Sequence, residues 1–359
     1  RLDGVTGVQT CALPILSVSA KPWPRVAASG HNLKGPVNMA KTINFLTTCK
    51  GSLLENFYPA GWNFKKIDRC CGLGPKALLA PAKFWNKGFK PVPVKDVAEM
   101  DRRMGEAIAD QIEQAARKGH ELALILPVGP MGMYAHVVRR LKASRTTGGH
   151  VTTFNMDEWS DPKGNTMPGD APGGFEHAMG EALFGPLGKF TVPAAQRNFA
   201  TRKNLPTYAG KIAAIRSRGG KLVTVYGIGR ACHIAFWEPQ IAAEYDSDDA
   251  WRAQTHRLGQ ALHPLTIEQN ALHSFSSRFT LIPCYANTIG PGLFLQSDFC
   301  IGGADGAYPD RGAMWQGMSL CVTLQHGPSR WITSSWMPTR PGRLFFMKQL
   351  AGPLLPDAH

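Results

Sequence analysis

The chain has 359 residues, of which 43% are hydrophobic and 18% charged. That composition excludes a disordered protein, and the length suits one large α/β domain or two ordinary ones. The formal charge of +14 is scattered among aromatics and prolines, which predicts a basic solvated surface and no nucleic acid as partner.

Residues 1–16 start without Met and lack the charged start and long apolar core of a signal peptide, so they are expected to be a non-native leader. Residues 17–94 are rich in Pro, Gly, Lys and aromatics and form an irregular N-terminal extension. A helix is expected over 39–54, and Trp62, Phe64, Phe84, Trp85 and Phe89 are expected to pack the extension onto the main domain.

From residue 95 the pattern sharpens. Val97, Met100, Met104, Ile108, Ile112 and Ala115 recur at helical spacing, so 95–118 reads as an amphipathic helix ending at Gly119. LALILPVG (122–129) is a continuous apolar run closed by a glycine turn, the mark of a buried parallel strand. Helical spacing resumes over 131–142, and further helices are expected at 173–184 and 206–218. HVTTFNMDE (150–158) and KLVTVYGIG (221–229) read as strands, as do 278–284, 298–303 and 330–336. Strands alternating with helices predict an α/β, Rossmann-like three-layer sandwich with a mostly parallel sheet over 95–352. Ligands in such sheets sit beyond the carboxyl ends of the strands.

The eight cysteines, Cys11, Cys49, Cys70, Cys71, Cys232, Cys284, Cys300 and Cys321, contain no C-x-x-C pair. They read as the reduced thiols of a cytoplasmic protein, with Cys284, Cys300 and Cys321 in buried-looking runs and no metal site. No apolar run reaches about 18 residues, so no membrane association is expected.

Three strand ends carry residues suited to chemistry. Asp157 and Glu158 follow VTTFN, and a partly buried carboxylate there is a candidate general base; capping of the next segment or pairing with a Lys is the structural alternative. His233 follows the turn at Gly227 and Gly229, with Glu238 five residues on. Such an imidazole can shuttle a proton while the carboxylate sets its tautomer, or it can simply be a core histidine. A full G-x-G-x-x-G is absent, since position 232 is Cys. The turn Val128, Gly129, Pro130, Met131 and Gly132 joins a strand to a helix, where backbone N–H groups can hold a phosphate.

FNMDE (154–158), GIGRACHIAFWEP (227–239) and YANTIG (285–290) together resemble the signatures of the glucosamine-6-phosphate deaminase/isomerase family, which shares a superfamily with 6-phosphogluconolactonases. The resemblance covers roughly 95–350. It implies Asp157 as the base that moves the C2 proton, His233 as the group that opens the sugar ring and Glu238 as its partner. It implies phosphate binding by 128–132. Glu158, Gly227, Gly229 and Arg230, beside these residues in the sequence, are further candidates for substrate binding, Arg230 by bringing a positive charge toward a phosphate or carboxylate. The resemblance also implies a small-molecule sugar phosphate as partner, no cofactor, and a homo-oligomeric assembly.

The departures are specific. The family's Asp two residues before the histidine is Ala231 here, and the Gly before it is Cys232. The phosphate loop is two residues shorter and offers no hydroxyl. The family's phosphate-holding Lys and Arg align near Asp305 and Ile267, with Arg257 and Arg278 nearby. Either neighbouring basic residues substitute, or the substrate carries its charge elsewhere. A 6-phosphogluconolactonase-like hydrolase, with His233 activating water, and a non-catalytic sugar-phosphate-binding protein are the alternative readings.

Overall fold

The computed structural model describes residues 49–53, 55–308 and 314–355. The leader and most of the helix expected over 39–54 lie outside these; residues 49–53 form turns.

Among the described residues ten strands build two sheets: β1 (Phe89–Val94), β2 (Leu122–Leu126), β3 (Val151–Asn155), β4 (Asp157–Ser160), β5 (Arg197–Asn198), β6 (Lys221–Gly227), β7 (His256–Ala261), β8 (Tyr285–Ile289), β9 (Phe299–Ala304) and β10 (Gly342–Met347). The larger sheet has the order β1-β10-β9-β6-β2-β3-β5 and every pairing in it is parallel. This is the α/β, Rossmann-like arrangement expected from the sequence. All five residues of β2 are buried, which is why that stretch carries no alternation of apolar and polar residues.

The long helix Val97–Lys118 packs on β1, β6, β9 and β10. Asp96 caps its start by accepting the Glu99 N–H at 2.7 Å, and Gly119 ends it in the left-handed region at φ 65°. The helices expected at 131–142 and 206–218 run Gly132–Ser144 and Tyr208–Ser217. The one expected over 173–184 starts at Phe175 and becomes π-helical over Gly180–Phe184.

Several strand readings shift. HVTTFNMDE is not one strand, because the chain changes sheets at Met156. Its N–H donates to Leu126 of β2, and its carbonyl accepts from Ile289 of β8. β4 then joins the antiparallel sheet β4-β8-β7. The strand expected over 278–284 is instead a 3-10 turn at Phe279–Leu281 with exposed apolar side chains, and pairing starts at Tyr285. The stretch 330–336 is likewise not a strand. Ser335 bonds the Ile332 carbonyl through both its N–H and its hydroxyl, and a 3-10 helix runs Thr333–Thr339.

Residues 55–94 feed the same core. Trp62 donates to the Trp331 carbonyl and Trp85 to that of Leu324, both at 2.8 Å, while Phe89 opens β1. The helix Phe64–Cys71 packs on Gly317–Gln325. The seven described cysteines are free thiols. Cys300 and Cys321 are buried as expected, whereas Cys284 is exposed because it sits where the 3-10 turn hands over to β8.

Candidate active site

In the parallel sheet the chain steps outward from β2 to β3 and β5 on one side, and from β6 to β9 on the other. The reversal falls between β2 and β6, where a crevice opens beyond the strand ends. A cleft of about 270 Å³ lies there. It is lined by the loops that follow β2 (Pro127–Gly132), β3 (Met156, Asp157), β6 (Gly227–Gly229, His233) and β9 (Asp305).

Asp157 begins β4 and pairs with Thr288 of β8. It is 6% exposed, and its Oδ1 has no hydrogen-bond partner among the described residues. Burial, and then the neighbouring Glu158, push its carboxyl well above the usual carboxylate range. A polar oxygen left unpaired inside a protein costs free energy that a bound ligand can offset.

His233 reaches the cleft from a tight turn after β6. The Gly229 N–H donates to its carbonyl at 2.9 Å, and a Cβ at position 229 would fall 1.9 Å from its Nε2. Only glycine lets the ring lie this close. The turn holds two non-glycine residues in the left-handed region, Cys232 at φ 59° and Ala235 at φ 54°, a clustering of backbone strain around the imidazole. Thr266 Oγ1 lies 3.1 Å from Nδ1, and Glu238 Oε2 lies 3.3 Å from the same atom. Nδ1 is thus engaged on the protein side. Glu238 is fully buried, its Oε1 accepting the His263 N–H at 3.2 Å.

The loop after β2 is held by Tyr134, whose buried hydroxyl donates to the Pro127 carbonyl at 2.6 Å. Val128, Gly129, Pro130, Met131 and Gly132 all line the cleft, as do Gly227 and Gly229. Gln316 ties two rims together, donating to the Ile228 carbonyl at 2.5 Å and accepting the Gly306 N–H at 2.6 Å.

Three of the expected residues lie off the cleft wall. Glu238 acts from behind His233. Glu158 turns away, its carboxylate accepting N–H groups of Trp159, Phe175 and Glu176 at 2.9–3.0 Å; it caps the helix at Phe175, the structural alternative open for it from the sequence. Arg230 pairs with Glu268, so its charge is committed there. Arg257 pairs with Glu244, and neither it nor the exposed Arg278 reaches the lining. Ala231 is fully buried.

The structure adds Asp101, Gln269, Asn270, His273, Asp305 and Trp315 to the lining. Burial and then Asp305 push the Asp101 carboxyl up to about 6. Burial raises the pKa of the Asp305 carboxyl and lowers that of the His273 imidazole. Among the described residues no group of three or more His, Cys, Asp or Glu converges as a metal-binding set, and no helix is long and apolar enough to cross a membrane.

A parallel α/β sheet with a carboxylate and an imidazole at its switch-point crevice defines a small-molecule-binding α/β protein. No family model matches the chain. It is similar to the glucosamine-6-phosphate deaminase of Clostridioides difficile (strain 630), 30% identical over 207 residues, which are 56% of this chain and 74% of that one. The Clostridium acetobutylicum deaminase is 29% identical over 216 residues, covering 58% and 79%. The chain belongs to the glucosamine-6-phosphate deaminase family, as a divergent member. A monomeric glucosamine-6-phosphate deaminase of known structure shares the fold, with a TM-score of 0.57 and 18% identity over 73% of this chain and 98% of that one.

Proposed function

We propose that this chain is an amino-sugar isomerase/deaminase working by ring opening and C2 proton transfer. The observation that carries the reading is that Asp157 and His233, delivered by the ends of β3 and β6 on either side of β2, line one cleft sized for a small sugar. His233, with Nδ1 held by Thr266 and Glu238, moves the proton from the anomeric hydroxyl to the ring oxygen, giving the open-chain aldehyde. Asp157 takes the C2 proton and returns it to C1 through an enolamine. The resulting C2 imine is hydrolysed by water to a ketose and ammonia. A buried carboxyl with a raised pKa is a stronger base than an exposed one and suits this step. Ala231 leaves the site without a third carboxylate that the family resemblance implies, so turnover is expected to be slower than that of the relatives.

The relatives' names give glucosamine-6-phosphate as the first substrate to assay. The test is deuterium uptake at C2 from D2O, followed by NMR across phosphorylated and unphosphorylated hexosamines. Uptake by the wild type that is lost in Asp157→Asn supports the reading; wild-type protein that exchanges none of the panel removes it.

A further inference from the structure

One end of the cleft is built by the loop Pro127–Gly132, the first turns of Val97–Lys118 and the end of β9. This is where the resemblance places the sugar's phosphate. The groups delivered there are acids. Asp101 comes from the long helix and Asp305 from the end of β9, while no lysine or arginine among the described residues lines the cleft. Asp101 packs directly on Gly132, the first residue of the helix Gly132–Ser144. A Cβ at position 132 would fall 2.0 Å from Asp101 Oδ2. The protein's own carboxylate therefore occupies the neighbourhood of the helix N-terminus, where a bound anion would be favoured. Pro130 has no N–H to add to it. Further along the cleft Asp157, buried with Oδ1 unpartnered among the described residues, presents a third acid to the same space.

A phosphate dianion brought to this end meets like charge, with no cation in the described lining to offset it. Sugar hydroxyls and ammonium groups meet acceptors instead, and hydrogen bonds to carboxylates are the strong kind. Trp315, its ring stacked on His273 at 6.0 Å, adds an apolar face of the sort that packs on sugar C–H groups. Burial raises both the Asp101 and the Asp305 carboxyls, and the nearby Asp305 adds to the rise at Asp101.

We propose that the cleft takes an unphosphorylated amino sugar, whose terminal hydroxyls donate to Asp101 and Asp305, and rejects the 6-phosphate ester. The inference rests on the amino-sugar reading above and names its substrate class. Calorimetric titration of the full chain with glucosamine and with glucosamine-6-phosphate tests it. Glucosamine is expected to bind at least about tenfold more tightly, the effect of like charge in a partly screened cleft. Asp101→Asn and Asp305→Asn are each expected to narrow that ratio. Equal or tighter binding of the phosphate ester, or no binding of glucosamine, overturns the proposal. C2 exchange run alongside separates the two ideas. Preferential glucosamine binding without exchange keeps the substrate class and removes the isomerase; faster exchange on the phosphate ester does the reverse.

Discussion

Glu238 Oε2 lies 3.3 Å from His233 Nδ1 although the residues are five apart in the chain. The contact exists because the segment folds back on itself, with the Trp237 N–H donating to the Ile234 carbonyl at 3.0 Å and Ala235 in the left-handed region. A buried carboxylate beside an imidazole fixes its tautomer and stabilises it when protonated. Glu238→Gln keeps the shape and removes the charge. We expect turnover to fall about 10²-fold with ligand affinity nearly unchanged, read by comparing kcat with Kd. An equal loss in affinity and rate would make Glu238 a binding residue instead.

Asp157→Asn separates chemistry from stability. C2 exchange should fall by about 10²–10⁴, the span typical for loss of a proton-transfer group. Thermal unfolding at pH 7 should move to higher temperature, because a carboxyl whose charged form burial disfavours, and whose Oδ1 has no partner among the described residues, has been removed. A lower unfolding temperature together with full exchange would contradict both assignments.

Glu158 is expected to behave in the opposite way. Its carboxylate holds three backbone N–H groups and ties β4 to the helix start at Phe175. Glu158→Ala should cost about 2–3 kcal/mol in urea unfolding, the worth of charge-assisted bonds to buried donors. Weaker ligand binding with no loss of stability would instead place Glu158 in the substrate site.

The acid end of the cleft makes a pH prediction. Asp101 titrates near the ordinary carboxyl value of 3.8 when unfolded and at about 6 when folded. Between those values the folded chain binds more protons than the unfolded one, so stability falls as pH rises through that window. The penalty is absent below 3.8 and complete above 6. Relative to Asp101→Asn, wild-type Tm should therefore drop between pH 4 and pH 7; parallel curves would mean that Asp101 carries no raised pKa.

Much of this was legible in the sequence, and the omissions have physical reasons. Continuous apolar runs announced β2 and β6, and the unusual residues at the ends of β2, β3 and β6 pointed the 128–132 turn, Asp157 and His233 toward one site. β1 was not legible, because FKPVPV holds two prolines that lack N–H donors; the strand is tolerated at the sheet edge, where one side needs no ladder. β7 was hidden by Gly259 and a break in its pairing between Arg257 and Gln260. Asp101 looked like any polar residue on a helix face, and Asp305 like a departure rather than a site residue. Only the parallel order β9-β6-β2, with the long helix laid across it, brings them to the same cleft. Arg230 looked available for an anion, and its partner Glu268 could not be foreseen from spacing.

The central claim is that Asp157 and His233 grip the same open-chain sugar. A crystal structure with the open-chain analogue 2-amino-2-deoxyglucitol tests it most directly. We expect C2 within about 3.5 Å of an Asp157 oxygen and O5 within about 3.2 Å of His233, distances that proton transfer requires. A hexitol bound elsewhere, or held in the cleft with C2 turned away from Asp157, would contradict it.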